Sequence, residues 1–356
     1  DKGGRKLGLR FDLTVGITRM IAGLRESAPI KLYCISNMWR YDKPQKGRYR
    51  CFYQWDIECF GTDCFEADAE IIKTSIELMK KLGLDVEIRI NNRKIIEGIL
   101  NYLGIVEKEQ LGGAMRTIDK IDKLGRAALM KEFLSYDITD MQGAEILCAL
   151  KRKGDPKKVF NGLLKDFPSE NEVLEQGLAE LKGLISVLED YDILENCVLD
   201  LSIVRGIAYY TGTVIEAYDT ADLSLGAIFA GGRFDKLCGQ YGADMPAIGI
   251  AGGIERLIVS LDARKLMPDF SEKNGIYVVS VNDKVKGDIR RIAGKLRSKK
   301  KCLVEYDICN RNFSKQMKYA NKKGYKYVVV IGDKEVKSGE AKIKDLSNGK
   351  EEKIKI

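Results

Sequence analysis

The stretch that decides the fold, Cys51-Phe52-Tyr53-Gln54-Trp55-Asp56-Ile57-Glu58-Cys59, alternates in polarity with the period of a β-strand. One face of this strand carries Phe52, Gln54, Asp56 and Glu58, a single aromatic ring with three polar groups. Such a face fits either solvent or a site that recognises polar atoms. The opposite face is predicted to be core and carries Cys51, Tyr53, Trp55, Ile57 and Cys59.

The loop before this strand is strongly basic. Residues 39–50 contain Pro44 and Gly47 among five cations: Arg40, Lys43, Lys46, Arg48 and Arg50. Arginines that contact phosphates, next to a ring that stacks on a base, would bind a nucleotide. A charged hairpin without a ligand is the alternative, and these residues by themselves leave both open.

The segment Leu9–Thr14 is predicted to be another strand, with Arg10, Asp12 and Thr14 on one face. Asp12 and Thr14 together are suited to hold an ammonium group. The same pattern is also typical of an edge strand with a solvated face, and these residues alone do not decide between the two interpretations.

Two later segments carry further candidates. In Ile203–Tyr210, Arg205 precedes the paired Tyr209 and Tyr210, which are either site residues or core aromatics. Gly249–Arg256 is a glycine-rich approach to a helix, a weakly specific feature of phosphate sites.

The remaining pattern predicts one antiparallel sheet that is interrupted by helices. Phe65–Leu82 repeats apolar residues at helical spacing and ends before Gly83, and residues 98–191 are helical and polar. Strand character is found at Lys31–Ser36, Tyr49–Phe60, Val86–Ile90, Cys197–Tyr218 and Ser224–Ala230.

After a break at Arg264–Asn274 the pattern predicts a small parallel α/β unit. A hairpin with an Asn348-Gly349 turn, between Lys342–Leu346 and Glu351–Ile356, closes it. The unit alternates strands and helices in the order Gly275–Val281, Lys284–Arg297, Lys301–Ile308, Asn312–Lys323 and Tyr325–Ile331.

Composition excludes several kinds of chemistry. The 356 residues include no histidine, which excludes Ser-His-Asp and Cys-His catalysis and every His-ligated metal site. The nine cysteines form no Cys-x-x-Cys pair and are typical of a reducing compartment, so a cytoplasmic protein is expected. No apolar stretch is long enough for a membrane span. The first residues, Asp1–Arg5, lack Met and a signal-peptide core, so a trimmed chain is expected.

Charge is divided unevenly along the chain. Residues 273–356 carry 23 Lys and Arg against 10 Asp and Glu, a net charge of +13, whereas residues 1–272 carry −5. This asymmetry indicates a polyanionic partner such as nucleic acid. A Lys-rich surface without a partner is the alternative.

These segments together resemble histidyl-tRNA synthetase, a class II aminoacyl-tRNA synthetase, in order and along nearly the whole chain. Residues 9–14 resemble the histidine-binding strand of that family, and residues 40–58 resemble class II motif 2. Residues 204–212 resemble the histidyl signature. Residues 230–235 and 253–257 resemble the glycine-rich strand and motif 3, and details such as Asn91–Lys94 resemble archaeal and eukaryotic members.

The resemblance implies a role for each candidate. Arg40 would hold the α-phosphate and the histidine carboxylate, and Arg205 would stabilise charge in the transition state, so these two are the predicted catalytic residues. The predicted ATP-binding residues are Arg40, Arg48, Phe52 for adenine and Arg256 for the γ-phosphate. The predicted histidine-binding residues are Asp12, Leu13, Thr14, Arg40, Gln54, Glu58, Arg205, Tyr209 and Tyr210, with Glu58 and Tyr210 on the imidazole.

The chain departs from the family pattern at four points. Ala208 stands where Asp is usual, Phe234 replaces a Tyr, and Gly16 stands where Pro is frequent. Motif 1, which builds the dimer interface of the family, would lie upstream of Asp1. The parent protein is therefore expected to be a homodimer that is longer at its N-terminus.

The resemblance implies an ATP-dependent ligase that joins L-histidine to tRNA(His) through a histidyl-adenylate, with Mg²⁺ held largely by ATP and no metal bound by side chains. The expected fold is α+β. It comprises a catalytic domain (1–97 and 192–264), a helical insertion (98–191) and a C-terminal α/β anticodon-binding domain (274–356). A non-catalytic paralogue that binds histidine or tRNA is the alternative.

Overall fold

The chain folds into two compact units, Asp1–Met267 and Pro268–Ile356, in a computed structural model. The structure describes residues 2–24, 26–121, 123–167, 171–204, 209–268, 273–300 and 302–356. Within this described part of the chain, no helix is both long enough and apolar enough to cross a membrane.

The first unit is built on a mixed sheet of eight strands in the order β1-β2-β8-β7-β6-β3-β5-β4. Neighbouring strands pair antiparallel except β3 and β5, which are parallel. The strands are β1 (Ile30–Trp39), β2 (Cys51–Phe60), β3 (Val86–Asn92), β4 (Lys153–Gly154), β5 (Cys197–Asp200), β6 (Thr213–Asp219), β7 (Phe229–Arg233) and β8 (Ala247–Gly253).

Helices cover the sheet and fill the interval between β3 and β5. The main apolar core forms where α2, α3 and α8 pack with the sheet, around side chains such as Ile72, Ile95 and Leu184. The helices are α1 (Thr14–Ala22), α2 (Phe65–Lys81), α3 (Arg93–Tyr102), α4 (Lys108–Ile118), α5 (Arg126–Leu134), α6 (Asp140–Ala149), α7 (Pro156–Asp166), α8 (Glu172–Asp190) and α9 (Ile254–Ala263).

Glycines allow the central strands to approach closely. A Cβ atom at Gly231 would lie 2.0 Å from the carbonyl oxygen of Gly249 on the neighbouring strand, which no side chain tolerates. A Cβ atom at Gly252 would lie 2.6 Å from the Trp55 indole nitrogen. The glycine-rich run before α9 is thus the middle of the sheet.

Two sequence-based expectations in this unit are wrong. Leu9–Thr14 is not a strand, because residues 9–12 are irregular and α1 begins at Thr14. Ser224–Ala230 begins as a short 3₁₀ helix and becomes β7 only at Phe229. The expected antiparallel sheet is confirmed, and it includes one parallel pair, β3 and β5.

The second unit is a five-stranded sheet in the order β10-β9-β11-β12-β13. The first three strands pair parallel and the last two form the predicted hairpin, so the α/β alternation is confirmed. Its elements are β9 (Lys273–Ser280), α10 (Lys286–Lys300), β10 (Leu303–Tyr306), α11 (Phe313–Lys322), β11 (Tyr325–Ile331), α12 (Asp333–Ser338), β12 (Glu340–Asp345) and β13 (Glu351–Lys355).

Candidate active site

The polar face of β2 is buried. Gln54 is 5% exposed, and Asp56 and Glu58 are each 1% exposed. On the neighbouring strand β8, Gly249 lies opposite Glu58. Because a Cβ atom at Gly249 would lie only 2.7 Å from the Glu58 Cγ, the missing side chain leaves room for Glu58. Buried carboxyl groups on one strand face require polar partners, which marks this face as a site rather than a solvated edge.

A cluster of three carboxyl groups forms where residues 9–13 cross the end of β1. Burial, together with the nearby charge of Asp12, raises the pKa of Asp56 to about 7. Burial raises the pKa of Glu58 to about 8. A hydrogen bond with the Thr14 side chain lowers this pKa, whereas the charges of Asp56 and Asp12 raise it further. The cluster therefore favours a bound cation or a set of N–H donors.

Glu58 has a free acceptor in this cluster. Its Oε2 atom is buried and has no hydrogen-bond partner among the described residues. A buried carboxyl oxygen without a donor costs free energy unless a ligand supplies the hydrogen bond. This oxygen is thus a candidate contact for an N–H group of a ligand.

Two tyrosines, Tyr209 and Tyr210, lie beside the cluster in the segment just before β6. The Tyr209 hydroxyl donates to Asp12 Oδ2 at 3.2 Å, and the Tyr209 and Tyr210 rings lie 4.7 Å apart. Burial first, and then the neighbouring Tyr210 and Asp12, raise the pKa of Tyr209 well above its ordinary value. Phe234 packs edge-on against Tyr209 at 6.0 Å in an apolar cluster. A family-type tyrosine would carry a hydroxyl group at this position.

Arg40 connects the carboxyl cluster to a larger cavity. Its Nη2 donates to Gln54 Oε1 at 3.0 Å, and Gln54 Nε2 donates to Asp56 Oδ1 at 2.9 Å. Its Nε donates to the Phe11 carbonyl at 2.9 Å, and its guanidinium lies 5.2 Å from the centre of the Phe52 ring. The guanidinium is therefore fixed from three sides at the boundary between two binding spaces.

The cavity has a volume of about 1090 Å³, large enough for a nucleotide, and Arg40, Phe52 and Gln54 line it together with Arg48 and Arg256. Arg256, on the first turn of α9, donates to the Ala227 carbonyl. Burial, followed by the adjacent charge of Arg48, lowers the pKa of Arg256. Two neighbouring cations in a partly buried wall favour an anionic ligand.

Not every predicted site residue lies in these two spaces. Arg205 and Ala208 lie outside the described residues. The Leu13 side chain, directly before α1, is 5% exposed and packs in an apolar cluster with Ile17 and Ile21.

Sequence reasoning missed four residues between β3 and β5 that line the cavity. The residues are Arg116, Lys120, Lys123 and Tyr136. The basic character of the first three is visible in the sequence, but nothing local in the sequence places any of the four near the arginines of the 39–50 loop.

Side-chain clusters suited to a resident metal are not found in the described ranges. No group of three or more Cys, Asp or Glu residues there is arranged to hold an ion.

Comparison with known families decides the identity. A family model described as histidyl-tRNA synthetase matches residues 1–257, and a model described as anticodon binding domain matches residues 275–356. The chain belongs to the histidyl-tRNA synthetase family. Members of this family aminoacylate tRNA with histidine in an ATP-dependent reaction, and the chain has their class II fold.

Relatives of the histidyl-tRNA synthetase family match the whole chain. Histidine–tRNA ligase of Pyrococcus furiosus is 37% identical over 100% of this chain and 82% of its own length. The corresponding ligases of Thermococcus kodakarensis and Clostridium tetani are 35% and 32% identical, over 99% and 100% of this chain and 81% and 82% of their own lengths.

Solved structures give the same fold. Histidyl-tRNA synthetase from Nostoc sp. PCC 7120 superposes with a TM-score of 0.77 at 27% identity, over 97% of this chain and 81% of that one. The apo enzyme from S. aureus has a TM-score of 0.69 at 24% identity, over 100% of this chain and 83% of that one. The second comparison concerns the fold alone.

Proposed function

We propose that the chain joins L-histidine to tRNA(His) in two steps, forming histidyl-adenylate with release of pyrophosphate and then transferring histidine with release of AMP. The observation that carries this proposal is the junction at Arg40. A buried carboxyl cluster suited to an amino acid adjoins a cationic cavity suited to ATP, and the Arg40 guanidinium touches both.

The amino-acid end of the site accounts for a histidine ligand. The unpaired Glu58 Oε2 is proposed to accept from an imidazole N–H, and the buried Tyr210 is proposed, from its sequence motif, to hydrogen-bond the same ring. Asp12, Thr14 and Gln54 supply acceptors for the α-ammonium group. A site with a buried acceptor rejects amino acids that leave it unpaired, which favours histidine over an apolar isostere.

The nucleotide end accounts for ATP. The Phe52 ring offers a stacking face for adenine, while Arg48 and Arg256 attract the phosphates. Mg²⁺, when bound, would neutralise phosphate charge and would be held largely by the phosphates of ATP. Glu216, a carboxylate in the cavity wall, would be available as a further oxygen donor of the kind this ion prefers.

No side chain acts as nucleophile in the first step. The histidine carboxylate oxygen attacks the α-phosphorus, the bond to the β-phosphate oxygen breaks, and pyrophosphate leaves. Arg40, whose guanidinium is fixed by the Phe11 carbonyl and Gln54, is proposed to orient the carboxylate and to stabilise charge on the α-phosphate. Arg205 is proposed to share this electrostatic role on the basis of its sequence motif. Such chemistry needs no histidine in the protein.

The second unit is proposed to bind tRNA, since its residues 275–356 match an anticodon binding domain and lie within residues 273–356, which have a net charge of +13. The nine cysteines are all free thiols, which favours a cytoplasmic setting.

A homodimer is proposed for the parent protein. Large apolar side chains are exposed around β1, including Leu9 (71%), Phe11 (57%), Tyr33 (78%) and Ile35 (56%). A second copy that covers them would remove this apolar surface from water. Sedimentation of the parent protein at twice the monomer mass would support the dimer, and a monomer at micromolar concentration would refute it.

Histidine-dependent ATP–pyrophosphate exchange tests the proposed function. The wild-type chain should exchange label only when histidine is present, and Arg40→Gln should abolish most of the exchange. Arg50→Gln is the matched control, because Arg50 lies in the same region but stacks on the exposed Tyr41 ring at 4.5 Å. Exchange that does not depend on histidine, or equal losses in both variants, would contradict the proposal.

A further inference from the structure

A buried ion pair lies behind the two tyrosines. Arg233, the last residue of β7, is 4% exposed, and Asp68 on α2 is fully buried. The guanidinium donates to Asp68 Oδ2 from Nε at 3.0 Å and from Nη2 at 2.5 Å. Such a pair stabilises a fold only weakly in comparison with apolar packing, so its presence calls for a further reason.

The ion pair continues into a hydrogen-bonded network. Arg233 Nη1 donates to Asp235 Oδ1 at 3.2 Å, and Asp235 Oδ2 accepts from the Thr211 hydroxyl at 2.8 Å. The Thr211 backbone N–H donates to the Arg233 carbonyl at 2.8 Å. Thr211, which directly follows the tyrosines, is thus held through both its main chain and its side chain.

The network reaches the tyrosines through close packing. Tyr210 lies against Gly232, where a Cβ atom would be 3.1 Å from the Tyr210 Cδ1 and 2.3 Å from the Thr213 carbonyl oxygen. Gly232 has φ of +154°, a conformation that other residues rarely adopt. Tyr209 in turn donates to Asp12. Hydrogen bonds and contacts therefore run without interruption from α2 to the carboxyl cluster.

We propose that Asp68, Arg233, Asp235 and Thr211 form a positioning unit that fixes Tyr209 and Tyr210 in the orientation that accepts histidine, without touching the substrate. This inference rests on the proposed function, because histidine is the ligand assumed. The physical reason is pre-organisation: a side chain that is already oriented loses less conformational freedom when the ligand binds. The unit belongs to the amino-acid end of the site, so its loss should affect histidine and spare ATP.

The Thr211→Val variant of the full chain tests this unit. It removes the hydroxyl that donates to Asp235 Oδ2 at 2.8 Å and accepts from the Asp235 backbone N–H at 3.1 Å, and it leaves both members of the buried ion pair unchanged. The dissociation constant for histidine, measured by calorimetry, and the KM for histidine in exchange should each rise about tenfold, the scale of a net hydrogen-bond contribution. The KM for ATP should stay within about twofold, and Thr211→Ser should restore histidine binding.

Thr117→Val is the matched control. Thr117 is fully buried in α4, and its hydroxyl donates to the Gly113 carbonyl at 2.9 Å, outside the network. It should lower thermal stability as much as Thr211→Val does, with unchanged affinity for histidine. A purely structural role for Thr211 predicts the same behaviour in both variants, and that result would overturn the positioning unit.

The outcomes separate this inference from the proposed function. An active wild-type chain whose KM for histidine is unaffected by Thr211→Val, or whose KM values for histidine and ATP rise together, refutes the positioning unit alone. A wild-type chain that binds histidine without exchange refutes the proposed catalysis, and calorimetry still measures the effect of the network. A wild-type chain that binds no histidine overturns both.

Discussion

Glu58 lies on the buried face of β2 with one carboxyl oxygen unpaired, and the space beside it exists because residue 249 is glycine. Period two in the sequence places Glu58 on one face with Gln54 and Asp56, but it cannot distinguish solvent from a closed site. The distinction depends on strands and loops that join the face from distant parts of the chain. Asp12 and Tyr209, which lie 197 residues apart, meet there.

Proton release should accompany histidine binding at Glu58. The pKa of about 8 leaves this carboxyl group largely protonated near neutral pH, and an imidazole N–H donor favours its ionised form. Calorimetry in two buffers of different ionisation enthalpy measures the released protons. Glu58→Gln should remove this release and weaken histidine binding, while ATP affinity stays near that of the wild type. Equal losses of affinity for both ligands would indicate a structural role for Glu58.

The same carboxyl group makes the stability of the unliganded chain depend on pH. Its folded pKa of about 8 lies above the ordinary value of 4.5, so its contribution to the free energy of unfolding is fully present below pH 4.5 and is lost as pH rises toward 8. Denaturant titrations at pH 5 and pH 8 measure the slope. Glu58→Gln should flatten it, and an unchanged slope would show that this group does not carry the dependence.

Arg205 is predicted to act on the transition state. If it stabilises charge on the α-phosphate, Arg205→Ala should lower the rate of adenylate formation by roughly 10²–10³, the scale of one lost pre-organised donor. Histidine affinity should change much less. Single-turnover measurement of adenylate formation, with histidine binding followed in parallel, checks both. An unchanged rate would exclude a catalytic role.

At the scale of elements, the sequence predicts most of the framework. Continuous alternation or helical spacing is sufficient to predict β2, α2 and every element of the second unit except α12, and β11 begins and ends as predicted. Leu9–Thr14 is predicted wrongly because its alternation is short. Leu9 and Phe11 are exposed, whereas Leu13 and Thr14 belong to the buried start of α1. Parallel pairing of β3 with β5 has no local signal, since helices separate the two strands.

Asp12 is predicted to have two roles at the start of α1. Its Oδ1 accepts from the Val15 N–H at 3.1 Å, and its Oδ2 accepts from Tyr209. Asp12→Asn keeps an acceptor for the helix but removes the charge, so it should preserve stability and weaken histidine binding. Asp12→Ala should also lose about 1 kcal/mol of unfolding free energy. Thermal unfolding and calorimetry separate the two effects, and equal stabilities of both variants would rule out the capping role.

At the scale of the whole molecule, charge separates the two units. Residues 273–356, nearly all of the second unit, have a net charge of +13, and Lys315, Lys318, Lys322 and Lys323 are exposed on or directly after α11. Phosphate contacts of exposed lysines bind nucleic acid through counterion release, so affinity falls steeply with salt. Residues 1–272, which include the first unit, have a net charge of −5 and contain the proposed site for histidine and ATP. The two steps of the reaction should therefore depend on different units.

Deletion of residues 273–356 from the parent protein should leave histidine activation nearly intact and sharply reduce aminoacylation, mainly by raising the KM for tRNA. It should also flatten the dependence of tRNA binding on salt.

Within the intact protein, changing Lys315, Lys318 and Lys322 to Gln should give part of this loss of aminoacylation. The same change at Lys342, Lys344 and Lys353, which are exposed on β12 and β13, is a control of equal charge. If both triple variants lose the same amount of aminoacylation, net charge alone attracts tRNA. If the truncated parent aminoacylates tRNA with the salt slope of the intact protein, the basic unit is only a solvated surface.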